Sequence, residues 1–172
     1  QTRTHGGSRI SDAEIDLAAL LISEGYTPDL TVRSASPFFC NTDPELVDAF
    51  SSAYERHFDT QLPATRTVEV AGVTRVRLVK DELLSLKAVL GRFGTSAEKT
   101  IPDRIVNAPI HRVERFLGRY FCADGWADAS GLHFGSKSRE ICTQLKRMLL
   151  RLGVVSNLCH RDIEGHGRHW TL

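Results

Sequence analysis

Apolar positions in this chain fall into two kinds of run. Leu17 to Ile22 is apolar on every helical face, so a helix there is buried on all sides. It opens at Ser11-Asp-Ala-Glu14, a capping-box pattern, and stops at Gly25, the residue type favoured just past a helix end. Phe38-Phe-Cys40 predicts a strand, and Asp43-Pro44 supplies the cap and first-turn proline of a helix reaching about His57. Residues 66–79 alternate on both sides of Ala71-Gly72 and predict a hairpin. In that hairpin Val68 and Val70 face inward with Val76 and Leu78, leaving Arg75 and Arg77 on the opposite face. A helix over Lys80 to Leu90 ends at Gly91 or Gly94. Residues 95–109 form a linker with a short helical piece. Ile110 to Asp124 is the second long helix. Leu132-His-Phe134 is a strand, Arg139 to Leu152 a helix stopped by Gly153, and two further strands lie around Val154 to Cys159 and Arg168 to Leu172.

The order of elements repeats. Leu17-Ala-Ala-Leu-Leu-Ile-Ser-Glu-Gly25 aligns without gaps on Leu117-Gly-Arg-Tyr-Phe-Cys-Ala-Asp-Gly125, placing Glu24 over Asp124 and Tyr26 over Trp126. Asn41 to Phe50 then lies over Ser136 to Leu145, with Glu45 on Glu140, Leu46 on Ile141 and Phe50 on Leu145. Residues 1–94 and 110–172 are thus expected to be two halves joined by the linker. The second half shows no counterpart of the Lys80 to Leu90 helix and reads as truncated. Small residues four apart, Ala19 with Ser23 and Gly118 with Cys122, suggest that the two motif helices pack closely on each other at a pseudo-two-fold interface. Glu24 and Asp124 then meet at neighbouring helix C-termini, each opposed by its own helix dipole and by the other's charge. Divalent cations relieve both, and two carboxylates completed by water and phosphate oxygens suit Mg²⁺.

Charge changes the picture once it is divided along the chain. The net charge is +1, but residues 1–60 carry four basic and ten acidic side chains, residues 61–120 eleven and six, and residues 121–172 seven and five. Arginine supplies 17 of the 22 basic residues, and its guanidinium forks onto phosphate or a guanine edge. Arg66, Arg75, Arg77, His133, Lys137, Arg161, Arg168 and His169 are the candidate DNA contacts. Lys80, Arg112 and Arg115 are expected to reach phosphate or nothing. No apolar run approaches the roughly 20 residues of a membrane span. The four cysteines form no C-x-x-C pair, and a soluble, cytoplasmic protein with free thiols is expected. Cys159, His160, His166 and His169 gather near the C-terminus without the short regular spacing of a structural zinc site.

Both nonamers resemble degenerate LAGLIDADG motifs. Lys99-Thr-Ile-Pro102, Phe116 to Gly125 and Leu149-Leu-Arg-Leu-Gly-Val-Val155 are similar to the endonuclease blocks of inteins, and the resemblance covers roughly residues 10–160. It implies an α+β fold: a pseudo-two-fold duplicated αββαββα unit with saddle-shaped antiparallel sheets over the DNA major groove. It implies a monomeric, Mg²⁺-dependent endonuclease acting on double-stranded DNA, with Mn²⁺ able to substitute. Glu24 and Asp124 match the family's metal ligands, and Lys99 matches a lysine associated with catalysis in intein endonucleases. Splicing needs a nucleophilic first residue and a terminal Asn, absent from Gln1 and Trp170-Thr-Leu172, so splicing modules are expected to flank this segment in a longer precursor. The rival expectation is a catalytically inactive LAGLIDADG module that binds nucleic acid, maturase-like or a transcription regulator.

Overall fold

The computed structural model describes residues 10–28, 36–90, 96–165 and 167–172. Gly91, Gly94 and His166, named above as helix stops and as part of the C-terminal cluster, lie outside them.

The first half runs α1 (Asp12–Glu24), β1 (Gly25–Tyr26), β2 (Phe38–Asn41), α2 (Pro44–Phe58), β3 (Thr67–Val70), β4 (Val73–Arg77) and α3 (Lys80–Leu90). This is one complete αββαββα unit. After a short helix, α4 (Asp103–Val106), the second half repeats the order as α5 (Ile110–Asp124), β5 (Gly125–Asp128), β6 (Gly131–Ser136), α6 (Arg139–Arg151), β7 (Cys159–Ile163) and β8 (Gly167–Thr171). Each half builds an antiparallel four-stranded sheet, in the orders β1-β2-β4-β3 and β5-β6-β8-β7. The registers match as well. Gly25 pairs with Phe39 where Gly125 pairs with Phe134, and Asn41 pairs with Thr74 where Ser136 pairs with Trp170.

The apolar run of the first helix decides the layering. Ile15 and Leu17 to Ile22 are all buried, because α1 lies between α5, α2 and the first sheet. The capping box forms as the sequence predicts: Glu14 N–H donates to Ser11 Oγ, and Ser11 N–H donates to Glu14 Oε2. Its equivalent α5 buries only Val113, Phe116, Leu117 and Tyr120 and leaves a solvent face. The helix pair is therefore a pseudo-two-fold in topology and one-sided in burial.

One polar residue sits inside this apolar helix. Asp16 is 1% exposed, and Arg115 of α5 forks onto it, Nη2 to Oδ2 at 2.6 Å and Nε to Oδ1 at 2.9 Å. Arg56 of α2 adds a third bond at 3.1 Å. A buried carboxylate is tolerated only when paired and hydrogen-bonded in this way. Arg112 pairs with Asp12 at 3.5 Å. Arg112 and Arg115 thus join the two helices instead of reaching for phosphate.

Three expectations about packing are corrected. Gly118 and Cys122 are exposed, and a Cβ on Gly118 would meet nothing within 4 Å, so that pair does not form the close helix contact. The glycines that fit tightly are Gly25 and Gly125. A Cβ at Gly25 would stand 2.7 Å from Leu21 Cα, and one at Gly125 2.6 Å from Phe121 O. Both end their helices with extended backbone (φ −92° and −95°), so they are needed for space rather than for a left-handed turn.

Val68 and Val70 are 38% and 65% exposed and share the open face with Arg75 and Arg77. The reason is parity. A two-residue turn at Ala71 (φ 53°) and Gly72 (φ 77°) pairs Val70 with Val73 and Val68 with Arg75, so even positions on β3 face with odd positions on β4. The core face carries Phe39 and Val76 instead. Finally, β7 starts at Cys159, beyond the apolar Val154 to Leu158 segment, and it is the polar run Cys-His-Arg-Asp-Ile that pairs with β8.

Candidate functional site

Because α1 and α5 end in the same way, Glu24 and Asp124 come out of the helix pair side by side at one edge of both sheets. The charge of Asp124 reaches Glu24. Burial and then the charge of Asp124 push Glu24 up to about 7, with Lys99 opposing. Burial also raises Asp124, against the hydroxyl of Tyr120, which donates to its Oδ2 at 3.2 Å, and against the charge of Lys99. Two carboxyls made reluctant to ionise by burial, one of them also by its neighbour's charge, are what a cation would relieve.

Lys99 occupies the junction between them. Its Nζ donates to the carbonyls of Ile22 at 2.7 Å, Gly25 at 3.1 Å and Ser23 at 3.3 Å, closing the negative end of α1. Burial lowers its pKa, while the charges of Asp124 and Glu24 hold it up. The linker around it is stapled to α6. Lys99 O accepts from Ser138 Oγ at 2.6 Å, and Gln144 brackets Ile101, accepting from its N–H at 2.7 Å and donating to its carbonyl at 2.8 Å. Arg151 donates to the carbonyls of Val106 and Ala108 further along. Ser138, Gln144 and Tyr120 were not among the residues singled out from sequence. Gln144, a polar residue on the apolar stripe of an amphipathic helix, carried the one readable signal.

Each carboxyl opens into its own cleft. The cleft at Asp124, about 360 Å³, is lined by Lys99, Lys137, Ser136, His169 and Trp126, with Ile22 and Ser23 from the other half. The cleft at Glu24, about 400 Å³, is lined by Cys40, Asn41, Thr42, Asp43 and Val73, with Cys122 and Ala123 from the other half. Among the described residues, no three His, Cys, Asp or Glu side chains cluster as a ready-made metal site. The two-carboxylate donor set fits a hard cation that keeps most of its other oxygens from water or substrate. It does not fit zinc.

The candidate base readers divide by face. On the open face of the first sheet Arg75 and Arg77 are exposed, with the Arg75 guanidinium stacked 4.4 Å over the Phe38 ring. On the second sheet Arg161 and His169 are directly paired neighbours on one face, and His133 shares it, stacked on Trp126. His133 Nε2 also lies 3.1 Å from Asp128 Oδ1, whose carboxyl is held low by Ser130 and His133. His169 Nε2 is buried without a hydrogen-bond partner.

Two arginines are placed elsewhere. Arg66 precedes β3 and gives Nη1 to Glu82 at 2.5 Å and to Tyr54 at 3.1 Å, an ion pair that ties it to α3. Arg168 lies on Trp170's face of β8, opposite His169, and bonds Asp162 at 2.9 Å.

Residues 112–171 match the family described as LAGLIDADG-like domain. The chain is similar in fold to a mesophilic variant of the homing endonuclease I-DmoI, with a TM-score of 0.68 at 14% identity over 94% of this chain and 88% of that one. It is similar to I-DmoI in complex with DNA and Mn, with a TM-score of 0.67 at 14% identity over 95% and 90%. The N-terminal LAGLIDADG domain of DUF199/WhiA superimposes with a TM-score of 0.56 at 11% identity, over 99% and 79%. The duplicated αββαββα order and these likenesses agree on the fold: the chain has the two-sheet α+β fold of the homing endonuclease I-DmoI, and its second half matches the LAGLIDADG-like domain family.

Proposed function

We propose that this chain is a site-specific endonuclease for double-stranded DNA, the homing endonuclease part of an intein, working as a monomer with Mg²⁺ held by Glu24 and Asp124. The observation that supports it best is the convergence of two raised carboxyls and Lys99 at the ends of a duplicated helix pair. The similarity to I-DmoI, whose complex contains DNA and Mn, supports the substrate and the use of a divalent ion. Mn²⁺ would then substitute for Mg²⁺.

The bound cation would supply hydroxide generation and charge neutralisation at the phosphodiester. The protein's own residues do the rest. Glu24 and Asp124 would hold the cation. Tyr120 fixes the rotamer of Asp124, and Lys99, held by α1, presents positive charge to both acids and to a phosphate entering beside them. Arg75, Arg77 and Arg161 offer donors from the open sheet faces to base edges, His133 and His169 share the second sheet's open face with Arg161, and exposed Lys137 supplies charge at the cleft mouth.

A second reading rests on the likeness to DUF199/WhiA: the same scaffold binding nucleic acid without cutting it. The two separate in one experiment. Duplexes retained by the protein from a randomised pool without metal are then given Mg²⁺. Cutting of the retained duplexes is the expected result, and retention without scission favours the binding module.

A further inference from the structure

Each half presents one exposed aromatic ring at the same place. Tyr26 and Trp126 directly follow the glycines that end α1 and α5, two residues past Glu24 and Asp124. They are 43% and 42% exposed. Their strand partners are Phe38 and His133, so both rings lie on the open faces, opposite the core residues Phe39 and Phe134. Each ring is backed by that partner. Tyr26 lies 5.3 Å from the Phe38 ring, and Trp126 stacks 5.1 Å from His133 at 22°. Gly135 makes room for the indole, since a Cβ there would stand 3.1 Å from Trp126 Cζ3. Cationic groups flank both rings. The Arg75 guanidinium sits 4.4 Å over Phe38, and Lys99 and Lys137 line the Asp124 cleft together with Trp126.

We propose that Tyr26 and Trp126 are stacking platforms for unpaired DNA bases, so that the chain prefers a duplex opened at the bases that meet these rings over a continuous one. This rests on the proposed reading of the open sheet faces as the DNA surface. A paired base shows the grooves only its edges, because its neighbours in the stack cover its faces. An aromatic ring has nothing to stack on until a base is unpaired. Backed aromatics beside cations suit such a base, the ring taking its face and the cations the adjoining phosphates. One stacked base contributes about 5- to 150-fold in affinity. The strand partner already covers part of each ring, so about tenfold per ring is expected. A mismatch supplies the free base without the unpairing cost that a perfect duplex must meet first.

The test measures metal-free retention of a duplex selected as described above and of a set of its derivatives, each mismatched at two adjacent base pairs at a different place. Retention about tenfold tighter at one or two places, and at no others, is the expected result. Trp126→Ala combined with Tyr26→Ala should bring that ratio back to about one, and Tyr26→Phe, which keeps the ring, should preserve it. In Trp170→Phe the remaining tryptophan is Trp126, and its emission should be quenched more by the favoured mismatched duplex than by the paired one. Retention that no mismatch improves, or a preference that survives in the double alanine variant, overturns the inference while leaving the nuclease reading intact. A mismatch preference without cutting in Mg²⁺ does the reverse. Should the double variant fail to melt cooperatively, Trp126 emission carries the test, and equal quenching by paired and mismatched duplexes overturns the inference.

Discussion

Lys99 reaches across 77 positions of sequence to place its ammonium 2.7 Å from the carbonyl of Ile22. The linker lysine thereby becomes the C-terminal cap of the helix that carries Glu24, and it is tied to α6 through Ser138. Lys99→Met keeps the aliphatic stem and removes all three carbonyl contacts. Cleavage should be lost while DNA retention stays within about tenfold, since one phosphate-range charge is a small part of a salt-dependent interface. Equal loss of retention and cleavage in a filter-binding and cleavage comparison would make the lysine a binding residue only.

Gln144 braces the linker two residues past Lys99 by bonding both backbone groups of Ile101. Gln144→Leu should leave two backbone groups of Ile101 unpaired, costing about 1–3 kcal/mol in a thermal melt. Gln144→Glu, which keeps one acceptor, should restore part of that loss. A melt unchanged in both variants would contradict the stapling role.

The helix-end acids make stability depend on pH in a defined direction. Glu24 is at about 7 in the folded chain and near 4.5 when unfolded. The folded state thus holds the proton more tightly. Its contribution is full below pH 4.5 and is lost as pH rises through 7. The metal-free protein should melt progressively lower across that window relative to Glu24→Gln, and Mg²⁺ should raise the melting temperature more at pH 8 than at pH 5. A wild-type melt that climbs relative to Glu24→Gln over pH 4.5–7 would contradict the placement of this carboxyl.

Asp16→Asn tests the bridge between the halves. Loss of one partner of a buried ion pair costs about 3–5 kcal/mol. Arg115 and Arg56 are 37% and 54% exposed and can turn to water, so the expected cost is at or below the lower end of that range. A denaturant midpoint within error of wild type would mean that the fork contributes nothing.

The parts of this fold legible in the sequence are those whose signal is local. The capping box at Ser11, the Asp43-Pro44 helix start and the bounds of α3 and α5 need no knowledge of the rest of the chain. Glu24 and Asp124 came from comparing the chain with itself. What stayed hidden depends on partners far away. The face of Val68 turns on the parity of a two-residue turn, and β7 has no apolar face because both of its sides are exposed. Asp16 and Gln144 look like errors in apolar stripes until Arg115 and Ile101 are placed beside them. The two-residue β1 is too short to leave any pattern.

In the proposed nuclease, Asp124 and Glu24 together hold the metal used for DNA cleavage. The most direct measurement is single-turnover cleavage of a selected duplex in Mg²⁺ by the wild type and by Asp124→Asn, with DNA retention measured in parallel. Removing a metal-binding carboxylate forfeits several kcal/mol of transition-state stabilisation, so cleavage should fall by more than about a hundredfold with retention preserved. Cleavage by Asp124→Asn at the wild-type rate would contradict the assignment of this site.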